Sequence, residues 1–378
     1  MEKKIWLSLA KMSGNEQKYI QEAFDTNWVV PLGPNVNGFE QDLQHFLGDA
    51  NKYVVALSAG TAALHLGLIM AGVEAGDEVI CQSFTFAASA NPIAYIKAMP
   101  VFVDSEKDTW NMSPILLEEA IKDRIAKTGK TPKAILPVHL YGMPARMDKI
   151  VAIAKKYNIT IVEDSAEALG SEYKGQKCGT FGLYAGLSFN GNKTITTSGG
   201  GALVCPSEEA AKRVMFFATQ ARDNAPHYQH THIGYNYRMS NICAGIGRGQ
   251  MTVVNEFIAR RRAIHNIYKT ELADVKGITV FDNPTSDFNS NHWLTCIIID
   301  KKTTGFDRED LRLAMDKANI ETRPLWKPMH LQPVFADAPS YVDGTSEDLF
   351  DNGLCLPSGA SLNDDDILRV INVIKNLK

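Results

Sequence analysis

The sequence predicts an α/β protein, with a mainly parallel sheet covered by helices on both faces and a smaller C-terminal α+β unit. Three observations point there. Short apolar, β-rich runs alternate with helical patterns over the first two-thirds of the chain. Those runs are near-continuously apolar, as strands buried on both faces must be. From about Met251 the pattern gives way to amphipathic segments with a different spacing.

The first strand is "YVVAL" (Tyr53–Leu57), and "GTAALHLGLIMAG" behind it reads as a helix. "EVICQ" (Glu78–Gln82), "PVFVD" (Pro100–Asp104) and "AILPV" (Ala134–Val138) follow, then "ITIVED" (Ile159–Asp164), "AGLSF" (Ala185–Phe189) and "GALVC" (Gly201–Cys205). "MTVVNEFIARRRAIHNIYKTEL" reads as a long amphipathic helix leading into the smaller unit. There "WLTCIIID" (Trp293–Asp300) is the expected strand, and "REDLRLAMDKANI" and "DDDILRVINVIKNL" are the expected helices. Asn363 caps the last helix ahead of an acidic first turn, which suits the positive end of the helix dipole. The expected division is residues 1–250 for the large unit and 251–378 for the small one.

Of the 378 residues, 45% are hydrophobic and 22% charged, a composition that excludes a disordered chain. The formal net charge of -4 gives no general attraction to nucleic acid or anionic membrane, so an anionic ligand has to be held locally. The six cysteines are scattered without a C-x-x-C pair and read as reduced core residues of a cytosolic protein. "MEKKIWLSLAKMSG" lacks the pattern of a leader, because Lys11 interrupts a very short apolar stretch. The longest apolar run, Ala62–Val73, falls far short of the roughly 20 residues that span a bilayer. A cytoplasmic protein is expected.

Open parallel sheets bind ligands at the carboxyl ends of their strands, and the polar oddities of this sequence cluster there. "LSAGTAALHL" (Leu57–Leu66) is a strand, a small-residue turn and a helix start. The amides of Thr61 and Ala62 with the Thr61 hydroxyl suit a phosphate, although turn geometry alone also calls for Gly and Thr. "IVEDSAEALGS" (Ile161–Ser171) ends a buried strand with Glu163 and Asp164, and Glu167 follows. Buried carboxylates need a cationic partner, either a protonated ligand nitrogen or a core arginine. "SFNGNKTITTSGGG" (Ser188–Gly201) sets Lys193 just past a strand. The segment nearly spells G-x-x-x-x-G-K-[ST], but Asn192 intervenes between Gly191 and Lys193 and spoils the register of a nucleotide-phosphate loop. A phosphate cradle, a buried acid and a lysine are together the equipment for pyridoxal 5'-phosphate.

With these motifs, and with "SFTF", "HLYG", "GYNYRMS" and "TRPLWKPMHLQPVF", the chain resembles the DegT/DnrJ/EryC1/StrS family of nucleotide-sugar aminotransferases over nearly its whole length. The resemblance implies a fold-type-I, aspartate aminotransferase-like transferase with a seven-stranded sheet. It implies Lys193 as the Schiff-base lysine and Asp164 as the partner of the pyridine nitrogen. Thr61, Ala62 and Ser188, with Gly60 and Asn190, would surround the cofactor phosphate, and Phe86 would stack on the ring. Asn236 would reach the phosphate from a second subunit, so a homodimer with shared active sites is implied. Glu167 stands where many members carry Gln or His, near the phenolic oxygen, where two anions repel unless one is protonated or turned toward substrate. Relatives that dehydrate sugars carry histidine in place of the lysine, so Lys193 implies transamination with L-glutamate as donor. "PLG" at Pro31–Gly33, "ATQARDN" and "ETRPLWK" are similar to members acting on UDP-4-keto-6-deoxy-N-acetylglucosamine in bacillosamine synthesis, with a GDP- or TDP-linked ketosugar as the alternative substrate.

Arg323, Trp326, Lys327 and His330 are the expected substrate contacts, on the same family pattern. His227, His230 and His232 in "HYQHTH" invite a metal reading, but no nearby cysteine or carboxylate completes a ligand set, and no metal is expected. "ARRRA" (Ala259–Ala263) reads as a solvated helix face, not a nucleic-acid patch.

Overall fold

The computed structural model describes residues 3–377. Met1, Glu2 and Lys378, which the expected division includes, lie outside the described residues. The large sheet has eight strands. Their spatial order is Tyr53–Leu57, Gly201–Cys205, Tyr184–Ser188, Thr160–Asp164, Ala134–Leu136, Glu78–Gln82, Met99–Val103 and Ser340–Tyr341. Gly201–Cys205 alone in this sheet runs against its neighbours; the other pairings are parallel.

The strands expected at Tyr53–Leu57, Glu78–Gln82 and Gly201–Cys205 form with those bounds, because each is an apolar run closed by turn residues. The eighth strand was not foreseen. Ser340–Tyr341 comes from the C-terminal part of the chain and pairs with Phe102 and Val103. A two-residue, partly exposed strand carries no apolar run to betray it.

A four-stranded antiparallel sheet joins Ile278–Val280, Thr295–Ile299, Gly353–Leu356 and Arg323–Pro324. The helices Val254–Glu271, Arg308–Lys317 and Asp364–Asn376 bury Ile264, Leu311, Ile367 and Val370 against it. Asn363 does cap the last helix, in a capping box with Asp366. Ile5, fully buried, joins this same core and bridges to Ile320. The chain therefore crosses residue 250 in both directions: Ile5 packs into the core of the four-stranded sheet and Ser340–Tyr341 returns to the large sheet.

The "ARRRA" expectation needs correction. Arg261 is 2% exposed. On helix Val254–Glu271 it shares a buried face with Ile264 and Tyr268. Periodicity places a residue on a helix face but cannot say that a guanidinium is wanted inside.

One glycine decides how the ligand-binding edge is built. Gly201 lies level with Leu57 on one side and Ser188 on the other. A Cβ there would meet the backbone of Ala59 and Gly60 at 2.4 Å. Only a residue without a side chain lets the start of helix Gly60–Met70 settle against the sheet. Gly201→Ala is expected to lower stability by about 1–3 kcal/mol through overpacking. A urea unfolding series checks this, and a midpoint equal to that of the unmodified protein contradicts the assignment.

Candidate active site

The strand ends and the loops beyond them enclose a cavity of about 350 Å³. Helix Gly60–Met70 begins at its edge with extended backbone at Ala59 and no side-chain cap. The first amides of a helix have no partner within it, so those of Gly60, Thr61 and Ala62 form a positive cradle. Ser188, at the end of Tyr184–Ser188, stands beside them. A Cβ on Gly60 would lie 2.9 Å from that of Ser188.

The two acids of "VED" separate because successive strand residues point to opposite faces. Glu163 turns away from the cavity. It accepts from the fully buried His139 at 2.9 Å and from the amides of Gly179 and Gly182. Its partners are thus a histidine and backbone, not the core arginine that sequence reasoning offered. Asp164 lines the cavity and is 5% exposed. Ser89 donates to its Oδ2 at 2.6 Å and the Ala166 amide to its Oδ1 at 3.1 Å. Thr85 in turn bonds Ser89 at 2.7 Å.

Lys193 projects into the same space, its side chain 13% exposed. Its Nζ lies 3.6 Å from Glu167 Oε1 and 4.0 Å from the ring centre of Trp293. The lysine loop is gripped from behind by several donors. Ser8 Oγ and Trp293 Nε1 both donate to the Asn192 carbonyl at 2.7 Å. Arg261 donates to the carbonyls of Lys193, Trp293 and Ser358 and to Ser8 Oγ. Full burial without a carboxylate partner pulls the Arg261 pKa down to about 10.

Glu167 is held from its other side. Tyr141 adopts φ 54°, a left-handed conformation unusual for a tyrosine, and its amide donates to Glu167 Oε2 at 2.6 Å. Asn291 donates to the Glu167 and Leu169 carbonyls at 3.0 Å and to Thr194. Burial is the chief reason that the Glu167 pKa lies above the ordinary carboxylate value. Asp164 pushes it the same way, while Lys193 and the Tyr141 amide oppose it. The Glu167 carboxyl group thus faces the lysine, not open substrate space, and its raised pKa favours the protonated form, one of the two arrangements that relieve repulsion from a neighbouring anion.

The cavity gathers Gly60, Thr61, Phe86, Asp164, Glu167, Ser188, Asn190, Lys193 and Trp326 from the residues expected at the site. Ala62 is the next residue along the helix. Arg323 lines an adjoining hollow that shares Asn192, Trp293 and Trp326 with the cavity. Asn236, exposed on a segment bridged to Thr219, lines neither space. Nor does Lys327, which is exposed, or His330, whose ring lies between Ser83 at 2.6 Å and Glu347 at 3.2 Å. His227, His230 and His232 sit on an exposed loop, with His230 turned to the Gln220 carbonyl. Tyr141, Asn291, Trp293 and Arg261 were not foreseen as site residues. Only Tyr141 left a signal, inside "HLYG".

The chain is similar to known proteins over nearly its whole length. The DegT/DnrJ/EryC1/StrS aminotransferase family model matches residues 10–375. EpsN of Bacillus subtilis (strain 168), provisionally named a pyridoxal phosphate-dependent aminotransferase, is 49% identical, covering 100% of this chain and 96% of its own. GDP-perosamine synthase of Escherichia coli O157:H7 is 38% identical over 96% of this chain and 95% of its own. Spr1654 from Streptococcus pneumoniae, provisionally named a sugar aminotransferase and solved in its PLP form, is similar with a TM-score of 0.89 and 26% identity, covering 99% of this chain and 98% of its own.

The raised pKa of Glu167 has a signed consequence. Above about pH 4.5 the unfolded chain releases this proton while the folded chain keeps it. Folding is then penalised increasingly until the pH passes the raised value. Glu167→Gln is therefore expected to gain stability relative to the unmodified protein as pH rises from about 4.5, with a slope approaching ~1.4 kcal/mol per pH unit within that window. Urea titrations at several pH values test it; a stability difference independent of pH would show that Glu167 folds ionised.

Proposed function

The chain belongs to the DegT/DnrJ/EryC1/StrS aminotransferase family, and from that membership we propose that it transfers the amino group of L-glutamate to UDP-4-keto-6-deoxy-N-acetylglucosamine for surface-glycan synthesis. The coarser description needs no proposal: it is a pyridoxal phosphate-dependent sugar aminotransferase of fold type I. The observation that carries the site assignment is Lys193 Nζ inside a cavity whose wall also presents Asp164 and an uncapped helix start.

The residues present fit the cofactor. The uncapped start of helix Gly60–Met70, tight against Ser188, offers donors to a phosphate group. Asp164 faces the cavity as an acceptor whose other contacts are a serine hydroxyl and one amide. Trp326, which lines the wall, has a buried Nε1 without a partner. When bound, pyridoxal phosphate supplies an electron sink that lets an amino group leave one carbon and enter another.

The protein's share of the work follows from its own groups. Asp164 would hold a proton on the pyridine nitrogen, with Ser89 and Thr85 fixing its orientation. Lys193 Nζ would move a proton at the reacting carbon, a role that needs it neutral for part of the cycle. Trp293 beneath it and Glu167 beside it limit where the amine can swing. Phe86 and Trp326, with ring centres 5.3 Å apart, form an apolar wall that would flank the ring and screen it from water.

Substrate contact rests chiefly on Arg323 and Trp326, since the adjoining hollow of about 560 Å³ has room for a nucleotide-linked sugar. The His330 ring is already engaged, and Lys327 would need a change of conformation to reach. Asn236 would serve the phosphate of a second copy. The exposed apolar residues Trp28, Val29, Val30 and Leu32 support such a homodimer. A GDP-linked ketosugar is the second reading, favoured by the 38% identity to a GDP-perosamine synthase.

The test incubates the enzyme with glutamate and either the UDP- or the GDP-linked 4-keto-6-deoxy sugar, with mass detection of the amino sugar. Turnover with the UDP sugar is expected. Turnover only with the GDP sugar replaces the first reading by the second, and turnover with neither removes both. Asp164→Asn is expected to slow turnover by about 10²–10⁴-fold and Lys193→Ala by at least as much.

A further inference from the structure

Residues 290–293 carry two supports of the cavity, Asn291 and Trp293, and between them lies His292 at φ 48°, again the left-handed region. Its ring faces a different space, a polar hollow of about 410 Å³ that Asp282 also lines. His292 is 7% exposed, and its ring makes no hydrogen bond among the described residues. It stacks on His265, ring centres 3.6 Å apart and planes within 10°. His265 Nε2 reaches Asp282 Oδ1 at 3.1 Å, while its Nδ1 is buried with no partner. The donor atoms of the three residues lie within 4.8 Å of one another, and no other such group occurs among the described residues.

We propose that His265, Asp282 and His292 form a binding site for one divalent transition-metal cation of the zinc type. Two imidazoles and one carboxylate are a donor set for zinc, cobalt or nickel rather than for magnesium or calcium, which prefer oxygen alone. Packing by itself does not account for the cluster, because a His–Asp pair with a second ring laid over it leaves imidazole nitrogens unused in a buried setting. Metal–ligand distances of roughly 2.0–2.2 Å require the donors to draw closer and the stacked rings to tilt. The hollow has space for water as the remaining ligand. Two cations line the hollow: Arg262, whose Nε is held by the Ser290 carbonyl at 2.9 Å, and Lys269, which pairs with Asp282 from a side chain 57% exposed and is the competitor free to swing into solvent. A cation here would brace the segment that carries Asn291 and Trp293, outside the reaction cavity.

The experiment is calorimetric titration of the tag-free holoenzyme with zinc chloride, with bound metal counted after dialysis. One equivalent is expected. Asp282→Asn and His292→Asn are each expected to weaken binding at least about tenfold, on the scale seen when metal-site groups are lost. Lys269→Ala, which removes the competitor, is expected to tighten it severalfold, and this variant decides the matter if the other two fail to fold. His230→Ala, in the exposed histidine loop, is expected to leave binding unchanged. No zinc bound, affinity insensitive to Lys269→Ala, or loss in His230→Ala with Asp282→Asn and His292→Asn unaffected would each overturn the proposal.

Discussion

The buried guanidinium of Arg261 ties distant parts of the chain to the loop that carries Lys193. It donates to the Lys193 and Trp293 carbonyls, to Ser358 near the C-terminal end, and to Ser8 near the start. A buried arginine facing a carboxylate would form a pair indifferent to backbone position. One facing carbonyls from distant parts of the chain instead defines where those backbones must lie. Losing it would strand several buried acceptors at once, a larger cost than the loss of any one bond. The backbone that carries the lysine is thus held by a residue on helix Val254–Glu271.

The same economy of backbone groups recurs around Glu167 and Asp164. Tyr141 takes a strained left-handed conformation, and in doing so aims its amide at Glu167 and lets its hydroxyl accept from the Trp326 amide at 2.8 Å. Its ring lies roughly parallel to those of Trp293 and Trp326. A single residue thereby links the acid, the floor beneath the lysine and the wall toward the adjoining hollow. Strain at one residue persists where surrounding contacts over-determine it, and here they do. Gln82 and Asn111 do comparable work behind the cavity. Gln82 bonds the Phe84 carbonyl and the Met112 amide, and Asn111 bonds the Leu140 amide and the Met143 carbonyl. The loops bearing Phe86 and Tyr141 are thus pinned by buried amides, not by apolar contact alone.

Much of this was readable in advance, for an identifiable reason. Apolar runs with turn residues at their ends report local structure, and the parallel-sheet rule turns local structure into a prediction of where ligands bind. Lys193, Asp164, Thr61 and Ser188 converge on one cavity because each follows or ends a strand whose direction was foreseeable. The small contributions were not readable. Ser340–Tyr341 joins the large sheet with two residues, and Asn291, Trp293 and Arg261 come from a part of the chain remote in sequence from the lysine. A residue that acts through a carbonyl leaves no motif, since any backbone can offer one.

The sequence by itself determined the class of fold, the strands that end at the cavity, and the presence of a lysine, an acid and a small-residue helix start at those ends. These depend on residue type and spacing along short stretches, which a single chain records directly. Tertiary structure alone decided which acid of "VED" enters the cavity, which way Glu167 turns, and that one arginine of "ARRRA" is interior. Each of those depends on what another part of the chain brings to within hydrogen-bonding distance. Spacing along one element is silent about that.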